Sequence, residues 1–170
     1  MTKTVILFNA APNAGKDASV DMMHSYFQSG VKLAFKDELY EDAAKHFNIR
    51  VEDLIDYHSD RNLKEKPSLM FPKYGDDSLK QYFFGLLYVI GVLLNNRYLM
   101  SLGYYSSRQA LIFVSEHLVK PVKGNGYYGS KLAEKIENSK SKFFFVSDSG
   151  YFNEATMVAD KGYNVYIVHL

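Results

Sequence analysis

The apolar positions of the chain fall into short continuous runs separated by amphipathic stretches. Residues 4–8, TVILF, form an unbroken run rich in β-branched side chains, which predicts a strand covered on both faces, as in a parallel sheet. KFFFVSD at 142–148 repeats that pattern and ends in an acid, and YNVYIVH at 163–169 predicts a last strand. VKLAF at 31–35 alternates and predicts another. Helical spacing appears over 16–28, with Val20, Met23, Tyr26 and Phe27 near one face, and over 37–47, with Leu39, Ala43, Ala44 and Phe47 apolar. Further helices are predicted over 106–119, where a serine pair offers an N-cap before Arg108, over 130–138, and over 153–160, stopped by Lys161-Gly162. Residues 51–67 read as polar and irregular, 68–77 as a loop, 79–102 as helical in part, and 120–129 as a loop.

Strands alternating with helices predict an α/β fold with a mainly parallel sheet flanked by helices in three layers. In such sheets ligands sit at the carboxyl ends of the strands. Attention therefore falls on the loop after the first strand and on Asp148 after the strand at 142–148. With 170 residues and no visible repeat, the chain is expected to form one domain. A net charge of +1 gives no global field for nucleic acid or an anionic membrane, so any phosphate must be held by local groups. The absence of cysteine excludes disulfides and cysteine-rich zinc sites. The N-terminal residues lack the apolar run of a signal peptide. The longest apolar stretch, 82–94, falls short of the roughly 20 residues of a membrane span. It reads as core, or in part as the interface of a homodimer, in a protein of the cytoplasm.

The first loop reads FNAAPNAGKDAS. The phosphate-loop pattern is Gly, four residues, Gly-Lys, then Ser or Thr. Here Ala10 takes the first glycine position and Asp17 the hydroxyl position. The physical requirements are inward backbone N–H groups, a helix N-terminus aimed at the anion, and a cation. Gly15 and Lys16 meet them in a strand–loop–helix context. Asp17 suits a hard cation such as Mg²⁺ or, alternatively, simply favours a first helical turn. An ordinary structural turn with an exposed lysine is the competing reading.

Beyond the loop, FKDEL, DRNLKEKP, SSRQALIFVSEHLVKP, YYGSKLAEKI and SDSGYFNEA follow in order. With GKDASVD they make the chain resemble the P-loop deoxynucleoside monophosphate kinases of tailed bacteriophages, over nearly its whole length. That family's loop often reads Gly-Lys-Asp. The resemblance implies a three-layer P-loop NTPase fold, ATP and Mg²⁺ as cofactors, and a nucleoside monophosphate as substrate, in the host cytoplasm. It also implies an acceptor-binding insertion over about 51–105 and a lid over about 120–131.

Site roles follow residue by residue from the resemblance. Ala11, Pro12, Asn13, Ala14, Gly15, Lys16, Asp17 and Ala18 would wrap the ATP phosphates, with Lys16 bridging the β- and γ-phosphates. Asp17 and Asp148 would organise Mg²⁺, the latter through water. Phe35 and Lys36 would border the acceptor pocket, Phe35 stacking on a base or else packing in the core, Lys36 meeting the phosphate or solvent. Arg61 and Lys64, three apart, would hold the monophosphate or form a charged surface. Arg108 would present its planar fork to a phosphate. Glu116 and Lys120 have the spacing of a helix ion pair, and His117 reads as structural. Ser149 and Gly150 would form the turn after Asp148, and Glu154 would orient it or open a helix. Two departures from the family pattern are visible, Ala10 and Gly150-Tyr151 where relatives often carry arginine, and relatives usually continue with a basic segment beyond the position of Leu170.

Catalysis by such a site needs positioning and charge rather than a strong base, because the attacking phosphate oxygen is already ionised. Two other functions fit the same residues: a small-metabolite kinase on the same scaffold, and a nucleotide-binding protein without turnover.

Overall fold

The computed structural model describes residues 2–11, 14–75, 77–148 and 152–170. In chain order the elements are β1 (Thr4–Asn9), α1 (Lys16–Tyr26), β2 (Val31–Leu33), α2 (Lys36–Phe47), α3 (Val51–Ser59), β3 (Pro67–Pro72), α4 (Ser78–Leu93), α5 (Arg97–Gly103), β4 (Tyr104–Ser106), α6 (Ser107–Phe113), a π-helical segment (Val114–Val119), α7 (Lys120–Lys123), α8 (Tyr127–Asn138), β5 (Phe143–Val146), α9 (Phe152–Ala159) and β6 (Asn164–His169). They pack as two compact units, residues 1–38 with 119–170, and residues 39–118.

The first unit is built on a four-stranded parallel sheet in the order β2-β5-β1-β6. Ile6 pairs with Phe145 and Leu7 with Val146, so the strands predicted from TVILF and KFFFVSD are neighbours. Successive side chains alternate between faces. Phe8 and Phe145 pack with Val20 of α1, with Ile6, Met23, Phe143 and Val168 around them. Val5, Leu7, Phe144 and Val146 pack on the other face with Leu132, Ala133 and Ile136 of α8 and Val158 of α9. Helices thus cover both faces, which is why these strands are apolar throughout instead of alternating. Phe144 and Phe145 are both fully buried, each burial contributing about 2–3 kcal/mol.

Helices α8 and α9 cross closely at a glycine. A Cβ on Gly129 would lie 2.3 Å from the Glu154 backbone oxygen. The YYG sequence therefore serves helix packing.

The second unit contains α3 to α6 and a two-stranded antiparallel ribbon, β3 with β4. Leu54, Phe71, Ala110, Leu111 and Val114 are buried there. Aromatic edges add to the packing: Phe47 and Tyr57 meet Phe71 at 5.4 and 6.0 Å, and Tyr88 meets Tyr104 at 5.3 Å.

Four expectations are corrected. Residues 51–67 are not irregular, because 51–59 form α3, which turns Leu54 inward and keeps Glu52 and Asp53 in the first turn. Residues 68–77 are not all loop, because β3 runs between two prolines that mark its ends. The helix expected over 79–102 breaks at Asn95 (φ +50°), and the Asn96 side chain caps the next helix by accepting from Tyr98 and Leu99 N–H. The stretch 120–129 is helical on both sides of 124–126, not an extended loop.

Candidate functional site

The β1–α1 turn sits at the carboxyl end of a central strand. Gly15 has φ +84°, a left-handed conformation that glycine adopts without the Cβ penalty of other residues. It occupies the N-cap of α1, and among the described residues no side-chain hydrogen bond caps that helix start. The first turn of α1 therefore presents Lys16, Asp17 and Ala18 at that N-terminus, where the helix dipole favours an anion. Lys16 Nζ donates to the Ala10 carbonyl at 3.0 Å, so the cation spans the loop. Ala14 N–H donates back to Ala11 O at 3.2 Å, which tightens the turn before Gly15. Asp17 is exposed in the first turn. Pro12 and Asn13, expected in the same loop, lie outside the described residues.

Asp148 follows β5, the strand beside β1. Its carboxylate is already engaged. Oδ1 accepts from Phe35 N–H at 2.8 Å and Oδ2 from Lys36 N–H at 3.0 Å, at the start of α2. Asp37 completes that start by accepting from Ala34 N–H at 3.0 Å. Burial pushes the Asp148 carboxyl above its ordinary value, against the opposing pull of the Lys36 and Phe35 N–H groups. Ser149, Gly150 and Tyr151, expected to shape the turn after it, lie outside the described residues. No cluster of three or more acidic or histidine side chains fit for a metal occurs among the described residues.

Phe35 is 5% exposed and packs in the core against the α8 face. Its ring is committed there, and the base-stacking role is withdrawn. Lys36 is exposed at the head of α2. The lysines expected in a lid have local partners: Lys123 donates to Tyr127 Oη at 2.9 Å, Lys131 to Glu134 at 2.9 Å, and Lys120 is buried. Glu154 is likewise buried, within α9.

Arg61, Lys64 and Arg108 belong to the second unit. Residues 60–64 make one helix-like turn, with Lys64 N–H donating to Asp60 O at 3.0 Å and Asn62 N–H to the Asp60 carboxylate at 2.7 Å. Arg108 N–H and the Ser107 hydroxyl both donate to Lys64 O, which brings that turn against the start of α6. The Arg108 guanidinium pairs with Glu65 at 2.9 Å, both side chains being largely exposed. Arg61 is exposed on the turn. Ser106 caps α6 in a reciprocal box with Gln109, as the serine pair suggested, although the cap is the first serine and α6 is short. The helix expected to run on to residue 119 changes to a π-helical segment from Val114, where His117 packs on Phe113.

No protein-family model matches the chain, and no curated protein matches it.

Sequence reasoning missed two features near these residues. Glu65 is the partner of Arg108, and DRNLKE gave no sign of a contact 43 residues away. Lys73 donates to Ser101 O at 2.6 Å and lies 5.1 Å from the Tyr105 ring centre. Burial draws its ammonium below the ordinary lysine value.

Proposed function

We propose that the chain transfers the γ-phosphate of ATP to a (deoxy)nucleoside monophosphate, giving the diphosphate and supplying DNA precursors. One observation carries this reading. The β1–α1 turn joins a left-handed Gly15 to the start of α1, with the Lys16 ammonium lying across the loop. That donor set fits a polyphosphate: helix-start N–H groups, a dipole and one cation.

In the reaction an oxygen of the acceptor phosphate attacks the γ-phosphorus, and the bond from that phosphorus to the β-bridging oxygen breaks. Lys16 would exchange the Ala10 carbonyl for β- and γ-phosphate oxygens. Backbone N–H groups of Gly15, Lys16, Asp17 and Ala18 would hold the remaining phosphate charge. In the second unit, Arg108 carries a planar fork that suits a phosphate through two parallel bonds in place of the Glu65 carboxylate. Asp17, exposed and acidic, suits a hard cation. Magnesium bound with ATP would supply neutralisation of the charge that develops between the two phosphates.

The test is purified protein with Mg-ATP and each nucleoside monophosphate in turn, scored for ADP. Turnover with at least one monophosphate, lost in Lys16→Ala, is expected. No turnover above that variant with any of them overturns the proposal.

Nucleotide binding without turnover is favoured by one observation, the engagement of both Asp148 oxygens in starting α2. Tight ATP binding by calorimetry with no ADP release would select it.

A further inference from the structure

Helix α4 is apolar on two opposite faces. One face is inside the fold. Phe84 stacks on Tyr74 at 4.4 Å, Tyr88 meets Tyr104, and Gly91 allows Met100 to approach, a Cβ there lying 2.8 Å from Met100 Cγ. These residues are spaced i, i+4 and i+7 and define one stripe.

At 100° per residue, Leu79, Tyr82, Leu86, Val89 and Leu93 define a second stripe on the opposite side. It is open to solvent: Leu79 is 85% exposed, Tyr82 81% and Leu93 79%, and Leu86 and Val89 are about half exposed. Phe83, Val92 and Leu94 widen it. A helix apolar all round is ordinarily a buried helix. The only charged side chain of α4, Lys80, is held by Asp77 at 3.0 Å, outside this stripe.

We propose that this face is the interface of a homodimer, with α4 packing on the α4 of a second copy about a two-fold axis. Area supports this occupant. With aromatic side chains burying about 150–250 Å² each and the aliphatic ones somewhat less, the exposed stripe offers roughly 900 Å². A standard interface needs about 800 Å² from each partner. Charge supports it as well. A two-fold contact sets each patch against itself, and a stripe without charges carries no like-charge repulsion. Shape supplies a socket. Gly85 leaves a groove between α4 and Leu69, lined also by Gln81, Tyr82, Leu86 and Val89, with a volume of about 400 Å³. A large apolar side chain of the partner's α4 fills it. A lipid surface fits less well, because interfacial helices flank their apolar face with several basic residues. No helix among the described residues is long and apolar enough to cross a membrane.

The experiment uses the full chain. Sedimentation across roughly 1–200 μM is expected to give twice the chain mass of 19.5 kDa. Leu86→Glu with Leu93→Glu is expected to weaken association by about 100-fold or more, as truncations at an interface centre do. Both positions face solvent within one copy, so far-ultraviolet circular dichroism should stay unchanged, while the urea midpoint should fall towards a value independent of protein concentration as the stabilisation by association is lost. The chain has no cysteine, so Leu86→Cys adds a single thiol. A short bis-maleimide should then link two copies, whereas Met22→Cys, on exposed α1, should not be linked. A monomer at every concentration overturns the proposal. So does a dimer indifferent to the glutamates, or vesicle binding by the wild type without a dimer. Nucleotide turnover is a separate measurement, so failure of the kinase reading leaves this result intact.

Discussion

Asp148 and Phe35 are 113 residues apart, yet the carboxylate of one accepts the backbone N–H of the other at 2.8 Å. Lys36 N–H takes the second oxygen. An acid at the end of β5 therefore fixes the point where α2 begins. Hydrogen bonds to a charged acceptor contribute about 1.5–3 kcal/mol, and both N–H groups lose their partner when it is removed. Asp148→Ala should destabilise the chain by about 2–3 kcal/mol by urea unfolding. Asp148→Asn, which keeps one acceptor oxygen, should lose less. Equal stability of wild type and Asp148→Ala would deny the capping role and leave the acid free for a metal.

Gly129 is required by sterics. Its absent Cβ would meet Glu154 O at 2.3 Å and Glu154 Cα at 2.7 Å, all backbone atoms that cannot rotate away. Gly129→Ala must push α8 and α9 apart at a core where Ala133, Ile136 and Val158 are fully buried. Overpacking of this kind costs about 1–3 kcal/mol. The gain of about 1 kcal/mol that alanine usually brings inside a helix will not offset it. A raised melting temperature in this variant would show that the two helices do not cross as described.

The Arg108–Glu65 pair should matter little to stability. Both side chains are about half exposed, and such pairs contribute at most about 1 kcal/mol. Arg108→Ala should shift the urea midpoint barely at all. On the proposed reaction it should lower kcat/KM for the monophosphate by about 100-fold, because a bidentate phosphate contact disappears. Glu65→Gln frees the guanidinium and should leave activity equal or higher. A large stability loss without a kinetic effect would make Arg108 a structural residue.

Alkaline pH should loosen the second unit. Burial raises the phenols of Tyr88, Tyr104 and Tyr105 above their ordinary value, Tyr88 and Tyr105 with smaller contributions from neighbouring tyrosines. The unfolded chain releases these protons near pH 10, while the folded chain retains them. Their contribution is therefore complete below about pH 10 and falls as pH rises towards the folded values, by at most about 1.4 kcal/mol per unit for each phenol. Lys73 acts in the opposite sense, since its lowered value makes the unfolded chain hold a proton longer. Comparing urea midpoints at pH 8.5 and 11 in wild type and Tyr104→Phe isolates the phenol. The variant should lose less stability on the same change of pH, and identical losses would contradict the assignment.

The parallel sheet was legible because burial on both faces leaves a direct trace in sequence. TVILF and FFFV carry no polar alternation, and the sheet buries both sides of each. Their adjacency was not legible, since nothing local records that Ile6 pairs with Phe145. The ribbon of β3 and β4 was invisible for a different reason. Its strands are short, prolines bound one of them, and its register is irregular between those prolines. Phe35 shows the same limit on a single residue. A strand-end aromatic looks alike whether it awaits a base or fills a core, and only the packing of Leu132 and Ile136 decides for the core. Gly15-Lys16 was legible because loop geometry and charge reside in adjacent residues.

That adjacency allows backbone and charge to be separated by experiment. A Cβ added to Gly15 meets no atom of the described residues within 4 Å, so the cost of Gly15→Ala lies in the backbone, where φ +84° costs an L-residue about 1–2 kcal/mol. Lys16→Ala removes only a cation bonded to Ala10 O and should cost about 1 kcal/mol or less. Stability should therefore fall more in the glycine variant than in the lysine variant. ATP binding should rank the other way if the loop holds phosphates. Losing the cation should weaken affinity by about 100-fold, as loss of a charge-assisted contact does. The glycine variant should keep part of it through its helix-start N–H groups. Calorimetry with ATP and with adenosine gives the control, since adenosine has no phosphate for Lys16 to hold. Equal ATP affinity in wild type and Lys16→Ala would make the β1–α1 turn a structural corner only.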